Sequence, residues 1–199
     1  MGIWKQVDLE FLGSRGLELP EDLQCSIEGM SFTETAGYFK NRFSLKEEIE
    51  EIKAEWNCMA EEYYKSRIAL KRGVKEFLEL IYERGLKIAI ATSNSRELVQ
   101  HILKNHGIEY YFSVIRTSCE VPKGKPYPDV YLKVAEDLEV SPVNCIAFED
   151  TLAGVMAAKS AGMKVIAVSD ETSLCSKEKI AELTEDYIND FFDVIKKVE

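Results

Sequence analysis

The sequence has no long apolar run, no C-x-x-C pair and only two histidines, and each lack excludes a class of protein. Its most apolar stretch, around residues 87–91, falls far short of the ~20 residues a membrane-spanning helix needs. Lys5 is not followed by an apolar segment, so no secretory signal is visible. The five cysteines (Cys25, Cys58, Cys119, Cys145, Cys175) are odd in number and scattered. They read as reduced, mostly structural thiols in a cytoplasmic protein rather than a disulfide framework or zinc site. His101 and His106 are too few and too local for a histidine-based metal site. Basic charge is also short: 25 Lys and Arg stand against 35 Asp and Glu, for a net charge of -10. With no local basic run to offset it, such a surface repels nucleic acid and anionic lipid. What remains is an ordinary globular composition, 46% apolar and 30% charged, over 199 residues. That length suits one large domain or two small ones.

The periodicity divides the chain near residues 68–73. Residues 1–70 read as helical. A first helix is expected over residues 3–15, carrying Trp4, Val7, Leu9, Phe11 and Leu12. Ser31-Phe-Thr-Glu34 and Ser44-Leu-Lys-Glu47 both fit a capping box, in which a hydroxyl and a Glu carboxylate satisfy opposed backbone N–H groups. After the second, Ile49, Ile52, Trp56, Met59 and Tyr63 recur at helical spacing as one apolar stripe. Residues 71–199 instead alternate strands and helices. Strands are expected at 87–91, 111–115, 145–148 and 164–168, and helices at 74–83, 96–106, 129–138 and 152–161, with Gly162 as a left-handed terminator. Apolar strands separated by helices imply an α/β fold with a parallel, doubly wound sheet.

Ligands of such sheets bind beyond the carboxyl ends of the strands, so the residues just past each strand matter most. After 87–91 come Thr92, Ser93, Asn94 and Ser95. Short polar side chains at a helix start suit an anion, although they serve equally as plain N-caps. The loop Val121-Pro-Lys-Gly-Lys-Pro-Tyr-Pro-Asp129 holds Lys125 between Gly124 and Pro126, where it can present a fixed positive charge to a phosphoryl oxygen. Lys123 competes for that role. After 145–148 come Glu149 and Asp150, two adjacent carboxylates at a helix N-terminus. They either form a hard-oxygen site of the kind Mg²⁺ favours or merely complement the helix dipole; two acids at one strand end are costly without a neutralising cation.

A hydroxyl, a lysine and an acidic pair, in that order and each past a strand, resemble the haloacid dehalogenase superfamily. "IAIATSNS" looks like its second motif, "GKPYPDVYL" its third and "IAFEDTLAGVMAAKSAGM" its fourth. The helical segment is similar to the inserted cap of the branch containing beta-phosphoglucomutase and small phosphatases. The resemblance implies a Rossmann-like core at 71–199 under a helical cap at 1–70. It implies that Thr92 hydrogen-bonds the transferring phosphoryl group with Ser93 and Asn94 beside it, and that Lys125 balances its charge. Asp150, assisted by Glu149, would hold Mg²⁺. The loop Glu28-Gly29-Met30-Ser31 corresponds to the cap's substrate-facing loop, with Gly29 and Ser31 in reach of substrate.

The family's first motif, Asp-x-Asp-x-Thr after the first strand, supplies the nucleophile, and this sequence does not contain it. Asp8-Leu9-Glu10 has the spacing but lies within the first helical pattern. Met1 to Lys5 looks like the segment that follows the first motif, so the economical expectation is a chain that starts too late, by a strand of roughly 5–6 residues and its loop. That strand belongs mid-sheet, between those bearing Thr92 and Asp150. Without it the neighbouring edges stand unpaired, and an unstable or aggregation-prone chain without phosphatase turnover is expected. The leading reading is a phosphatase acting on a small phosphorylated metabolite through an aspartyl-phosphate, as a monomer or weak homodimer. Its rival is a degenerate, non-catalytic phosphate-binding or regulatory protein. A sugar-phosphate mutase is disfavoured, because Glu28 and Phe32 stand where a mutase cap offers basic residues. Met30 and Phe32 suggest a partly apolar substrate wall.

Overall fold

The computed structural model describes residues 2–66, 68–170 and 176–198. Four helices come first: α1 (Gly2–Gly13), α2 (Leu23–Ile27), α3 (Phe32–Arg42) and α4 (Ile49–Ser66). They enclose an apolar core of Val7, Phe11, Leu12, Leu23, Phe39 and Trp56, into which the stripe on α4 points as its spacing predicts. The expected capping box at Ser31 is present: its hydroxyl accepts from Glu34 N and Glu34 returns the bond to Ser31 N. The second box is not. Ser44 sits in the left-handed region (φ 52°), and Glu47 instead pairs with Arg15 at 2.7 Å, a guanidinium that also holds Glu55 at 2.6 Å. The N-terminal turn of α4 is closed by Glu51, which accepts from Glu48 N at 2.7 Å.

The rest alternates: α5 (Val74–Glu83), β1 (Ala89–Thr92), α6 (Arg96–His106), β2 (Val114–Thr117), α7 (Asp129–Asp137), β3 (Ile146–Glu149), α8 (Leu152–Ser160), β4 (Lys164–Val168), α9 (Lys177–Leu183), β5 (Asp186–Ile188) and α10 (Phe192–Val198). The second strand begins later than expected because residues 109–111 close a 3₁₀ turn. The elements after residue 168 have no counterpart in the sequence reading; two are single-motif helices of seven residues with little period to read.

Every strand pair is parallel, but the sheet is in two pieces, β1–β2 and β3–β4–β5. β1 pairs only with β2, and β3 only with β4, so each presents one unpaired edge among the described residues. Burial follows: β4, flanked on both sides, is buried at four of five positions, while all four residues of β1 are half-buried and Ile146 at the start of β3 is 56% exposed. The pieces share one apolar layer, since Ala91 of β1 packs on the cluster that contains Ala147 of β3. Leu98 of α6 belongs to the helical core, and joins the two halves.

Four cysteines are free thiols, as expected, but Cys25, Cys58 and Cys119 are exposed rather than structural; Cys175 lies outside the described residues.

Asp8 lies in α1, beside Val7 on its buried side, and is only 3% exposed. Gln24 of α2 donates to it at 2.7 Å. Burial nevertheless pushes its carboxyl up from 3.8 to about 6. The native state therefore holds this proton more tightly than the unfolded chain, so the charged form costs stability above that value and the cost is relieved as pH falls through it. Asp8→Asn, which can still accept from Gln24, is expected to stabilise the protein near neutral pH by about 2 kcal/mol. The gain should shrink between about pH 6 and 4, as Asp8 of the parent takes up its own proton. Urea unfolding at both pH values measures this; equal changes at the two would refute it.

Candidate functional site

The candidate residues meet where β1, β3 and β4 end. Glu149, the last residue of β3, is 7% exposed, and its Oε1 accepts from both Lys125 Nζ and the Tyr131 hydroxyl. Gly154 makes that placement possible: a Cβ there would stand 2.0 Å from Glu149 Oε2, so the first turn of α8 closes over the carboxylate only because it carries no side chain. Thr151 caps α8, accepting from Gly154 N at 3.1 Å. Tyr131, buried in α7, has its phenol pushed well above the usual range by burial and by the Glu149 charge.

Lys125 is the lysine that reaches the site. Its Nζ also lies 3.4 Å from the Ala91 carbonyl of β1, so one ammonium spans from the last residues of β1 to those of β3. Lys123 is exposed and stacks over the Tyr127 ring at 4.5 Å, which removes it as a competitor. On the β1 side, Thr92 Oγ1 accepts from Asn94 N at 3.0 Å, which folds the turn and leaves the hydroxyl proton to donate. Ser93 Oγ lies 3.3 Å from Ser118 Oγ and 3.5 Å from the Gly29 carbonyl. Ser95 caps α6 and donates to Asn57 of α4 at 2.8 Å.

The loop at residues 28–31 docks directly on the Lys125 loop. Gly29 takes φ 86°, and a Cβ there would be 2.8 Å from the Lys125 carbonyl and 2.6 Å from Ala153 Cβ. From the other side, a Cβ on Gly124 would be 2.8 Å from Glu34 Oε2. Of the two loop residues singled out in the sequence, Gly29 is in contact with the Lys125 loop, whereas the Ser31 hydroxyl is engaged in capping α3. Gly29→Ala combines a left-handed backbone with two collisions and is expected to cost about 2–3 kcal/mol. Guanidinium unfolding checks it; a loss below about 0.5 kcal/mol would mean that the loop is not held where it lies.

Asp150 is half-buried just past β3. Burial and the neighbouring Glu149 charge raise its carboxyl above the ordinary value, and Lys71 opposes that shift from 3.4 Å. Lys71 also pairs with Asp170, just past β4, at 2.6 Å. Lys71, Tyr131 and Asp170 escaped the sequence reading; Tyr131 lies two residues past the Asp129 that starts α7, the only local hint of the three.

As a metal site the arrangement is incomplete. Among the described residues no three His, Cys, Asp or Glu side chains converge to hold an ion. One oxygen of Glu149 is occupied by two donors and Asp150 faces an ammonium. The residues present do not, by themselves, fit Mg²⁺.

The family profile described as haloacid dehalogenase-like hydrolase matches residues 12–168. The chain is 33% identical over 153 residues to "Phosphorylated carbohydrates phosphatase" of Thermotoga maritima, spanning 77% of this chain and 71% of that protein. It is 28% identical over 195 residues to "Hexitol phosphatase B" of Escherichia coli, spanning 92% and 86%. Its fold superposes on a crystal structure of beta-phosphoglucomutase from Clostridium difficile with a TM-score of 0.78 at 21% identity, covering 97% of this chain and 87% of that one. Parallel strands that end in Thr92 and Glu149, with Asp150 just beyond and Lys125 reaching between them, and a match over most of the length agree: the chain belongs to the haloacid dehalogenase-like hydrolase family.

Proposed function

We propose that this chain carries the phosphate-holding half of a phosphatase for a small phosphorylated carbohydrate, and that it lacks the group that attacks phosphorus. Phosphoryl transfer of this class needs a carboxylate to displace the alcohol and form an aspartyl-phosphate that water then hydrolyses. Thr92 would donate to a phosphoryl oxygen and Lys125 would balance developing charge, with Ser93 and Asn94 lining the same turn. Residues 1–70 would act as a cap over the core at 71–199, with Gly29 bringing the substrate-facing loop onto Lys125. Mg²⁺ is the cofactor that the family implies, and Asp150 and Glu149 are the residues that would contribute to holding it once further ligands complete the site. We assign the protein to the cytoplasm as a monomer or weak homodimer that binds neither nucleic acid nor membranes; no helix among the described residues is long and apolar enough to cross a membrane.

The observation that carries the reading is Lys125, buried at the ends of two strands beside the Thr92 turn, with no Asp-x-Asp sequence anywhere to supply the nucleophile. Phosphate release from a panel of sugar and hexitol phosphates with Mg²⁺ tests it. Robust turnover by this polypeptide overturns the missing-nucleophile reading. If a strand bearing the motif is supplied and turnover stays absent, the phosphatase reading fails and a non-catalytic phosphate-binding role replaces it.

A further inference from the structure

The turn that carries Thr92 leaves β1 at Thr92 and enters α6 at Arg96, so its shape depends on how those two ends are fixed. Thr92 pairs in register with Thr117, the last residue of β2. A 3₁₀ turn follows at Ser118–Glu120, and its last residue folds back: Glu120 Oε2 accepts from Thr117 N at 2.8 Å. The other oxygen of the same carboxylate accepts from Arg96 Nη2 at 2.6 Å. Arg96 Nη2 also donates to the Ile115 carbonyl of β2 at 2.8 Å. Arg116 approaches Glu120 Oε1 at 3.8 Å, while its Nε holds Asp137 at 2.5 Å.

One carboxylate thus grips both the strand residue opposite Thr92 and the first residue of the helix beyond it. Arginine at the first position of a helix meets the positive end of the dipole, and the Glu120 charge answers it. Ser118, in the same 3₁₀ turn and 2% exposed, lies 3.3 Å from Ser93 Oγ, a second touch on the Thr92 turn. Within that turn Asn94 N donates to Thr92 Oγ1 at 3.0 Å, the bond that orients the hydroxyl. We infer that Glu120 is a positioning residue: acting through Arg96 and Thr117, it sets the turn at residues 92–95 in the shape that offers the Thr92 hydroxyl to an anion. The positioning stands on these distances, and its value toward phosphate rests on the function proposed above.

Glu120→Gln keeps one acceptor and removes the charge that holds Arg96; Arg96→Gln removes the charge from the other end. The two side chains are 31% and 36% exposed, so both variants are expected to fold. Each is expected to speed hydrogen exchange of the Asn94 amide about fivefold relative to the amides of β4. Each should also weaken binding of inorganic phosphate, followed by NMR titration, by about fivefold. The double variant should be no worse than the worse single one, because both act through one contact. Unchanged Asn94 exchange in both single variants, or losses that multiply in the double, overturns the inference. A lowered Tm with phosphate affinity intact also overturns it, since that marks a merely structural pair. A parent chain that binds no phosphate defeats the proposed function, and with it the part of Glu120 in holding phosphate.

Discussion

Joining an apolar strand that ends in Asp-x-Asp-x-Thr ahead of Met1 is expected to raise phosphate release from sugar phosphates on the order of a thousandfold or more, from a starting rate indistinguishable from buffer. The expectation combines two independent features. Chemically, on the proposed reading Thr92 and Lys125 would hold and neutralise a phosphoryl group without displacing its alcohol, and loss of a nucleophile commonly removes several orders of magnitude. Structurally, among the described residues β1 and β3 each have one unpaired edge, their carboxyl ends lie within reach of the same Lys125 ammonium, and a sixth parallel strand about five residues long would have ladder partners on both sides. The start of α1 is suitably placed: Trp4 stacks edge-on against Phe32 at 5.6 Å, next to the Ser31 loop that flanks Lys125. The comparison is made at equal folded protein, with a variant carrying Asn at the first Asp of the added motif as control. Turnover by the parent chain, or equal turnover by the Asn control, would count against the expectation.

Lys125→Met is expected to cost about 3–5 kcal/mol of stability, because it strands Glu149 as a buried charge. Lys125 and Glu149 are 9% and 7% exposed, so little solvent can take over when one partner is lost. Tyr131 alone would remain on that oxygen, and Gly154 leaves the carboxylate no room to turn outward on the α8 side. Glu149→Gln in the Lys125→Met background should recover most of the loss, since the amide is neutral and still accepts from Tyr131. A denaturant double-mutant cycle gives the coupling. A loss below about 1 kcal/mol in the single variant would show that the pair is not closed as described.

Much of this architecture is legible in the sequence, and the illegible part has a pattern. The helix expected at residues 96–106 is found with those bounds, and Ser95 of the preceding polar turn caps it. Thr92, Lys125, Glu149 and Asp150 are legible because each lies at the end of a strand or in the loop beyond one, and strand ends can be located from local apolar runs. Lys71 and Asp170 were invisible for the opposite reason: they meet across 99 residues, and nothing local in Lys71-Arg-Gly73 marks the lysine as anything but solvated. The Ser44 box failed because a distant Arg15 claims Glu47, a tertiary pairing that overrides a local one.

Ser95 and Leu98 have a mechanical consequence. Both sit on the first turn of α6, one bonded to Asn57 of α4 and the other sunk among the side chains of the first four helices. The turn that carries Thr92 is therefore geared to α4. Swinging the helical half away would break that hydrogen bond at about 1 kcal/mol, uncover a leucine at about 2 kcal/mol and also part Gly29 from the Lys125 loop. At equilibrium that leaves roughly one molecule in a hundred open, or fewer, and each opening stroke pulls on the end of the segment that follows Thr92.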